Sequence, residues 1–113
     1  MEEEIGNAHN RLVAAFRNMG CALAATTGVI DGMTVRDHSG RYLFAWHTHP
    51  HHLLFYLRKP ALKSKSTLRQ RALALHGPDS VSQNRGQETK ITLRSVKDTE
   101  LLLSWLLPEL PLP

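Results

Sequence analysis

The chain predicts an α+β domain: a small four-stranded sheet, antiparallel or mixed, covered by about three helices. The sheet is expected as a three-strand meander plus one later strand. Three observations predict it. Residues 41–48 and 52–58 are short aromatic and branched runs bounded by turn residues, the pattern of strands. Residues 4–19 place Ile5, Ala8, Leu12, Ala15, Phe16 and Met19 on one helical face. With 113 residues, 42% hydrophobic and 21% charged, the chain can fill one core but not two. Residues 1–107 are therefore expected to form a single domain, with 108–113 a short Pro-rich tail.

The elements follow in order. The first helix covers 4–19 and stops at Gly20. Residues 21–32 begin Ala-rich and end in Thr26-Thr27-Gly28-Val29-Ile30-Asp31-Gly32; they read as a frayed helical extension or a loop. Met33–Asp37 is a short strand, and Asp37-His38-Ser39-Gly40 a hairpin turn. In Arg41–Thr48, alternation puts Tyr42, Phe44 and Trp46 on one face and Leu43, Ala45 and His47 on the other. Both faces are largely apolar, which predicts a central strand with cover on each side. After the turn His49-Pro50-His51 comes the strand His52–Arg58. Lys59–Lys65 reads as a basic linker. Ser66 is placed to cap a helix over 67–76 that ends at Gly77-Pro78. Asp79–Gln87 is polar and loop-like, and Glu88–Arg94 alternates as the fourth strand. Ser95-Val96-Lys97-Asp98 has the form of a capping box with Asp for Glu. It opens a last helix through Leu107, with Val96, Thr99, Leu102, Leu103 and Leu106 inward and Leu101 and Trp105 off the stripe.

Charge locates a candidate surface. The net charge is +4, yet residues 36–76 alone carry eight Lys and Arg against Asp37, a net +7, between mildly acidic flanks. Arg58, Lys59, Lys63, Lys65, Arg69 and Arg71 fall within fourteen residues beside Ser64, Ser66 and Thr67. A basic loop feeding a helix start suits phosphate, so these six side chains are the candidate anion or nucleic-acid site. No aromatic residue lies within 59–71 to stack a base.

Four of the seven histidines sit in His47-Thr48-His49-Pro50-His51-His52. Residues i and i+2 of a strand point the same way, so His47 and His49 are candidate ligands for one divalent metal. His47-Thr48-His49-Pro50, after an apolar strand, resembles the His-x-His-Pro core of the JAMM zinc metalloproteases. That resemblance implies zinc on His47 and His49, a downstream Asp ligand in Ser-x-x-Asp and an upstream Glu base. The chain reads Arg58-Lys59-Pro60-Ala61 where Ser-x-x-Asp belongs and has no acid between Asp37 and Asp79. Pro78-Asp79 followed by Glu88-Thr89-Lys90 resembles the PD-(D/E)xK nucleases. There the resemblance implies Mg²⁺ on Asp79 and Glu88, with Lys90 near the attacking water.

Other classes lack their signatures. No phosphate-binding Gly motif, Gly-x-Ser-x-Gly elbow or dinucleotide fingerprint is present. Cys21 is the one cysteine, expected as a reduced thiol in a small apolar setting rather than a nucleophile. The acidic start and the lack of an ~18-residue apolar run predict a cytoplasmic protein without membrane contact. The resulting expectation is a non-enzymatic module that binds nucleic acid or another polyanion through 58–71, with no cofactor. The alternatives are a protein-interaction or accessory domain, with a homodimer among its partners, and a metal-dependent hydrolase or nuclease.

Overall fold

The computed structural model describes residues 2–26 and 31–113. Helix α1 (Glu3–Asn18) is followed by strands β1 (Ala22–Ala25), β2 (Gly32–Arg36), β3 (Tyr42–Thr48) and β4 (Leu53–Leu57). Helices α2 (Lys59–Ser64) and α3 (Thr67–His76) lead to β5 (Val81–Gln83), β6 (Thr89–Leu93) and α4 (Val96–Leu106), which closes in a 3-10 turn at Leu107–Glu109. The strands form one sheet in the order β1-β2-β3-β4-β6-β5, and every neighbouring pair is antiparallel.

The expected four-stranded sheet under three helices is thereby corrected, among the described residues, to six strands and four helices. Each added element has a physical reason. Ala22-Leu23-Ala24-Ala25 has helical propensity, but pairing with Met33–Arg36 makes it an edge strand. Val81–Gln83 carries a single apolar residue, and its ladder to Thr89–Ile91 supplies the order that its side chains do not. Lys59–Ser64 is a helix despite Pro60, because proline in the first turn forfeits no helical hydrogen bond. Of the expected loop 21–32, Thr27–Ile30 lie outside the described residues.

All helices pack on one side of the sheet. Phe16 of α1 meets the rings of Phe44, Trp46 and Phe55 at centroid distances of 5.5–6.1 Å, with Ile5, Ala8 and Leu12 buried on the same helical face. The inner side of α4 adds Leu102, Leu103 and Leu106. Its Trp105 is 4% exposed, so this off-stripe residue belongs to the core. Two of the termini behave as their sequences imply. Gly20 takes φ +80° and the Cys21 N–H returns to Phe16 O. The Ser95 Oγ accepts from Asp98 N at 3.0 Å while Asp98 accepts from Arg94 N at 2.9 Å. Ser66, by contrast, is itself helical in backbone and makes no side-chain cap bond.

Two local features shape the uncovered side. A β-bulge interrupts the register between β2 and β3, where Val35 pairs with Phe44 but Arg36 with Tyr42. The extra residue, Leu43, is buried, and the alternation resets. Tyr42 therefore faces the same way as Ala45 and His47, not with Phe44 and Trp46 as strict alternation predicts. The hairpin before it is tied by Asp37, which accepts from Ser39 Oγ, Arg41 N and Arg41 Nε at 2.7–2.9 Å. Burial of the Asp37 carboxyl opposes its ionisation, and these bonds outweigh that and hold its pKa at about 2. Arg41 also clamps the chain end, donating to Pro113 O and Leu112 O, while Leu112 is buried.

Candidate nucleic-acid interface

Residues paired across an antiparallel sheet share a face, so the register fixes what the uncovered side displays. One row holds Arg36 and Tyr42, joined by Arg58 just past β4. The next runs Thr34, Ala45, Tyr56, Lys90, Ser82. A third runs Gly32, His47, Leu54, Thr92. His49, His52 and Arg94 continue beyond it. Gly32 is required in its row, since a Cβ there would stand 2.2 Å from the Trp46 carbonyl.

At the Tyr42 end the aromatic and basic groups are stacked. The Arg58 guanidinium lies 3.8 Å from the Tyr42 ring centroid and that of Arg36 lies 5.0 Å from it, both within cation–π range. Glu88 accepts from Arg58 Nε at 2.5 Å and from Asn84 Nδ2 at 2.9 Å. Burial works against the charge of Arg58, but the bond to Glu88 outweighs it and holds the guanidinium protonated. His47 meets Tyr56 edge-on at 5.1 Å. Tyr42, Ala45, His47, Tyr56, Arg58, Asn84 and Glu88 together line a shallow depression of about 310 Å³. Burial raises the Tyr56 hydroxyl pKa, and Glu88 adds to that, so the ring stays neutral.

The six basic residues singled out in 58–71 do not form one surface. Arg58 belongs to the sheet face and is paired with Glu88. Lys65 is paired with Glu109, whose carboxyl that hydrogen bond pulls below its usual range. Lys59 and Lys63 line a second shallow depression with Leu62 and Gln87, beside the β5–β6 turn. Arg69 and Arg71 flank the buried Leu68 and Ala72 on opposite sides of α3. Outside those six, Arg36, Lys90 and Arg94 are brought onto the face of Arg58 by strand register. Their signal was present in sequence only as the polar positions of alternating strands.

The histidines end the same face. His49 stacks on His52 at 4.7 Å, 12° from parallel, and its Nε2 is buried without a partner. Burial lowers the His47 pKa, helped by His49 and opposed by Glu88. His52 is lowered by burial first, then by His49, Arg94 and His51. His51 turns away to Glu2 at 2.5 Å. Among the described residues no three His, Cys, Asp or Glu side chains stand together as a metal site. Asp79 and Glu88 are likewise apart. Ser80 opposes Thr92 and Asn84 opposes Glu88, so Asp79, in the turn before Ser80, lies at the far end of the β5–β6 ladder from Glu88, with roughly 13 Å of strand between Ser80 and Asn84. Burial, with Asp37 nearby, raises the Cys21 thiol pKa, which disfavours the nucleophilic thiolate. Among the described residues no helix is long and apolar enough to cross a membrane. Compared with family models, curated proteins and solved structures, the chain finds no match.

Proposed function

We propose that this protein is a binding module that holds single-stranded nucleic acid across the uncovered face of its sheet. The observation that carries the reading is the Arg36–Tyr42–Arg58 stack beside Tyr56 on a face whose other strand-borne charges are Lys90 and Arg94. Phosphate needs cations, and unpaired bases need flat partners; this face offers both within a few rows. The one acid in these rows, Glu88, is spent on Arg58. Lys59 and Lys63, next to Gln87, extend the positive surface past the Arg58 end. The basic segment 58–71 thus contributes its first residues to the interface, while Arg69 and Arg71 lie elsewhere on α3.

The test is fluorescence anisotropy of a labelled oligonucleotide of roughly 12 nucleotides. Binding is expected at low salt and falls as salt rises. Tyr56→Ala removes a stacking surface and weakens affinity by about 1 kcal/mol or more. The double substitution Lys90→Ala/Arg94→Ala weakens it further, whereas Arg69→Ala/Arg71→Ala changes it little. No binding at low salt overturns the reading, as does wild-type affinity in the sheet-face variants.

A further inference from the structure

We infer that the free edge of β1 is a self-association seam, through which two copies of this chain join antiparallel into one continuous sheet. The inference is independent of nucleic-acid binding.

The backbone geometry defines the seam. Thr26 N donates to Gly32 O at 3.0 Å, so the pair 26/32 is hydrogen-bonded and the pattern alternates from there. Ala24 with Thr34 and Ala22 with Arg36 then also exchange bonds. Leu23 opposite Val35 and Ala25 opposite Met33 are non-bonded pairs, and the N–H and C=O of both Leu23 and Ala25 point away from β2. Among the described residues the sheet order ends at β1, and α1 and the other described helices occupy the core side rather than this edge.

Edge strands usually carry a device against pairing: a lysine, a proline, a bulge or an inward charge. Cys21–Ala25 has none, and the one bulge described lies at the other side of β2. The opposite edge, β5, is three residues long and runs into Asn84-Arg85.

The occupant that fits is a second copy. Consider a two-fold axis passing through Ala24 normal to the sheet. Leu23 of each copy then faces Ala25 of the other as a hydrogen-bonded pair, which uses the outward donors and acceptors of both residues. Ala24 meets its own symmetry mate as a non-bonded pair, the closer of the two spacings at about 4.5 Å between Cα atoms. A methyl side chain suits that approach. On the helix side Leu23 packs on the partner's Ala25. The strand is uncharged, so two chains of net +4 meet there without placing like charges in contact.

Sedimentation velocity across a concentration series on the whole chain tests this. The wild type is expected to show a monomer–dimer equilibrium with no larger species. Ala25→Pro removes an outward N–H that β2 does not use and is expected to be monomeric with an unchanged circular dichroism spectrum. Ala24→Lys, at an exposed position, puts like charges across the axis and is also expected to be monomeric; it decides the matter if the proline variant does not fold. Ala24→Cys in a Cys21→Ala background is expected to form an intermolecular disulfide on oxidation, since facing Cα atoms at such a spacing permit one. A wild type monomeric throughout, assemblies beyond the dimer, or dimers that survive Ala24→Lys overturn the inference.

Discussion

Two indole N–H groups show how single residues in this core are chosen. Trp46 is fully buried and its Nε1 donates to His9 Nδ1 at 3.0 Å; Trp105 donates to His76 Nε2 at the same distance. Each acceptor must be a neutral imidazole, because a protonated ring has no lone pair to offer. Burial lowers the pKa of both His9 and His76 from 6.5. The unfolded chain therefore binds more protons than the folded one between 6.5 and the depressed values. Stability from these pairs is complete above about pH 6.5 and falls as pH drops through that interval. Urea unfolding at pH 7.5 and 5.5 is expected to show a lower midpoint at the acidic pH. His9→Ala leaves the Trp46 donor unsatisfied and is expected to cost about 1–3 kcal/mol at neutral pH while flattening the pH dependence. Glu88 makes the opposite case on the sheet face, where its charge offsets Arg58. Glu88→Gln is expected to tighten oligonucleotide binding several-fold at low salt, read by anisotropy, because it removes the one acid from the interface.

At the level of elements, legibility tracked how much of an element's order comes from its own residues. The helix over 3–18 and the strands over 42–48 and 53–57 carry their periodicity in bulky apolar side chains, and the sequence places them to within a residue or two. The last helix is marked by both its stripe and its cap. Ser95→Ala is expected to destabilise by about 1 kcal/mol, measurable by denaturant titration, since Ser95 Oγ is the acceptor for Asp98 N. β1 and β5 were not legible for the converse reason: alanine and polar residues carry no period, and their ladders with β2 and β6 decide their state. The bulge at Leu43 had the widest consequence. A one-residue slip turns a side chain to the other face, so Tyr42 left the face predicted for it with Phe44 and Trp46 and joined the candidate interface. Composition located positive charge in the middle of the chain. The register then divided it, joining Arg58 with Arg36 of β2, Lys90 of β6 and Arg94 just past β6, and setting Arg69 and Arg71 apart.

Across the whole molecule, the helices insulate one side of the sheet and leave the other to aromatic, basic and imidazole groups. That division separates two effects of acid. His9 and His76 lie on the helix side and their protonation weakens the fold. His47 and His52 lie on the uncovered side, held below the ordinary imidazole pKa by burial and by neighbouring His49, with Arg94 and His51 adding to His52 and Glu88 opposing at His47. As pH falls through their range they add charge beside Arg94, on the face assigned to nucleic acid. Each cation that neutralises a phosphate of a single strand steepens the log K against log salt slope by about 0.7. Oligonucleotide affinity is therefore expected to rise from pH 7.5 to 5.5 with a steeper salt slope, although the midpoint of unfolding falls over the same interval. Replacing both His47 and His52 by Gln removes two of the imidazoles on this face and is expected to reduce the rise in affinity and slope with acid, while the loss of stability from His9 and His76 persists. Binding that weakens with acid in step with unfolding would place the nucleic acid off this face.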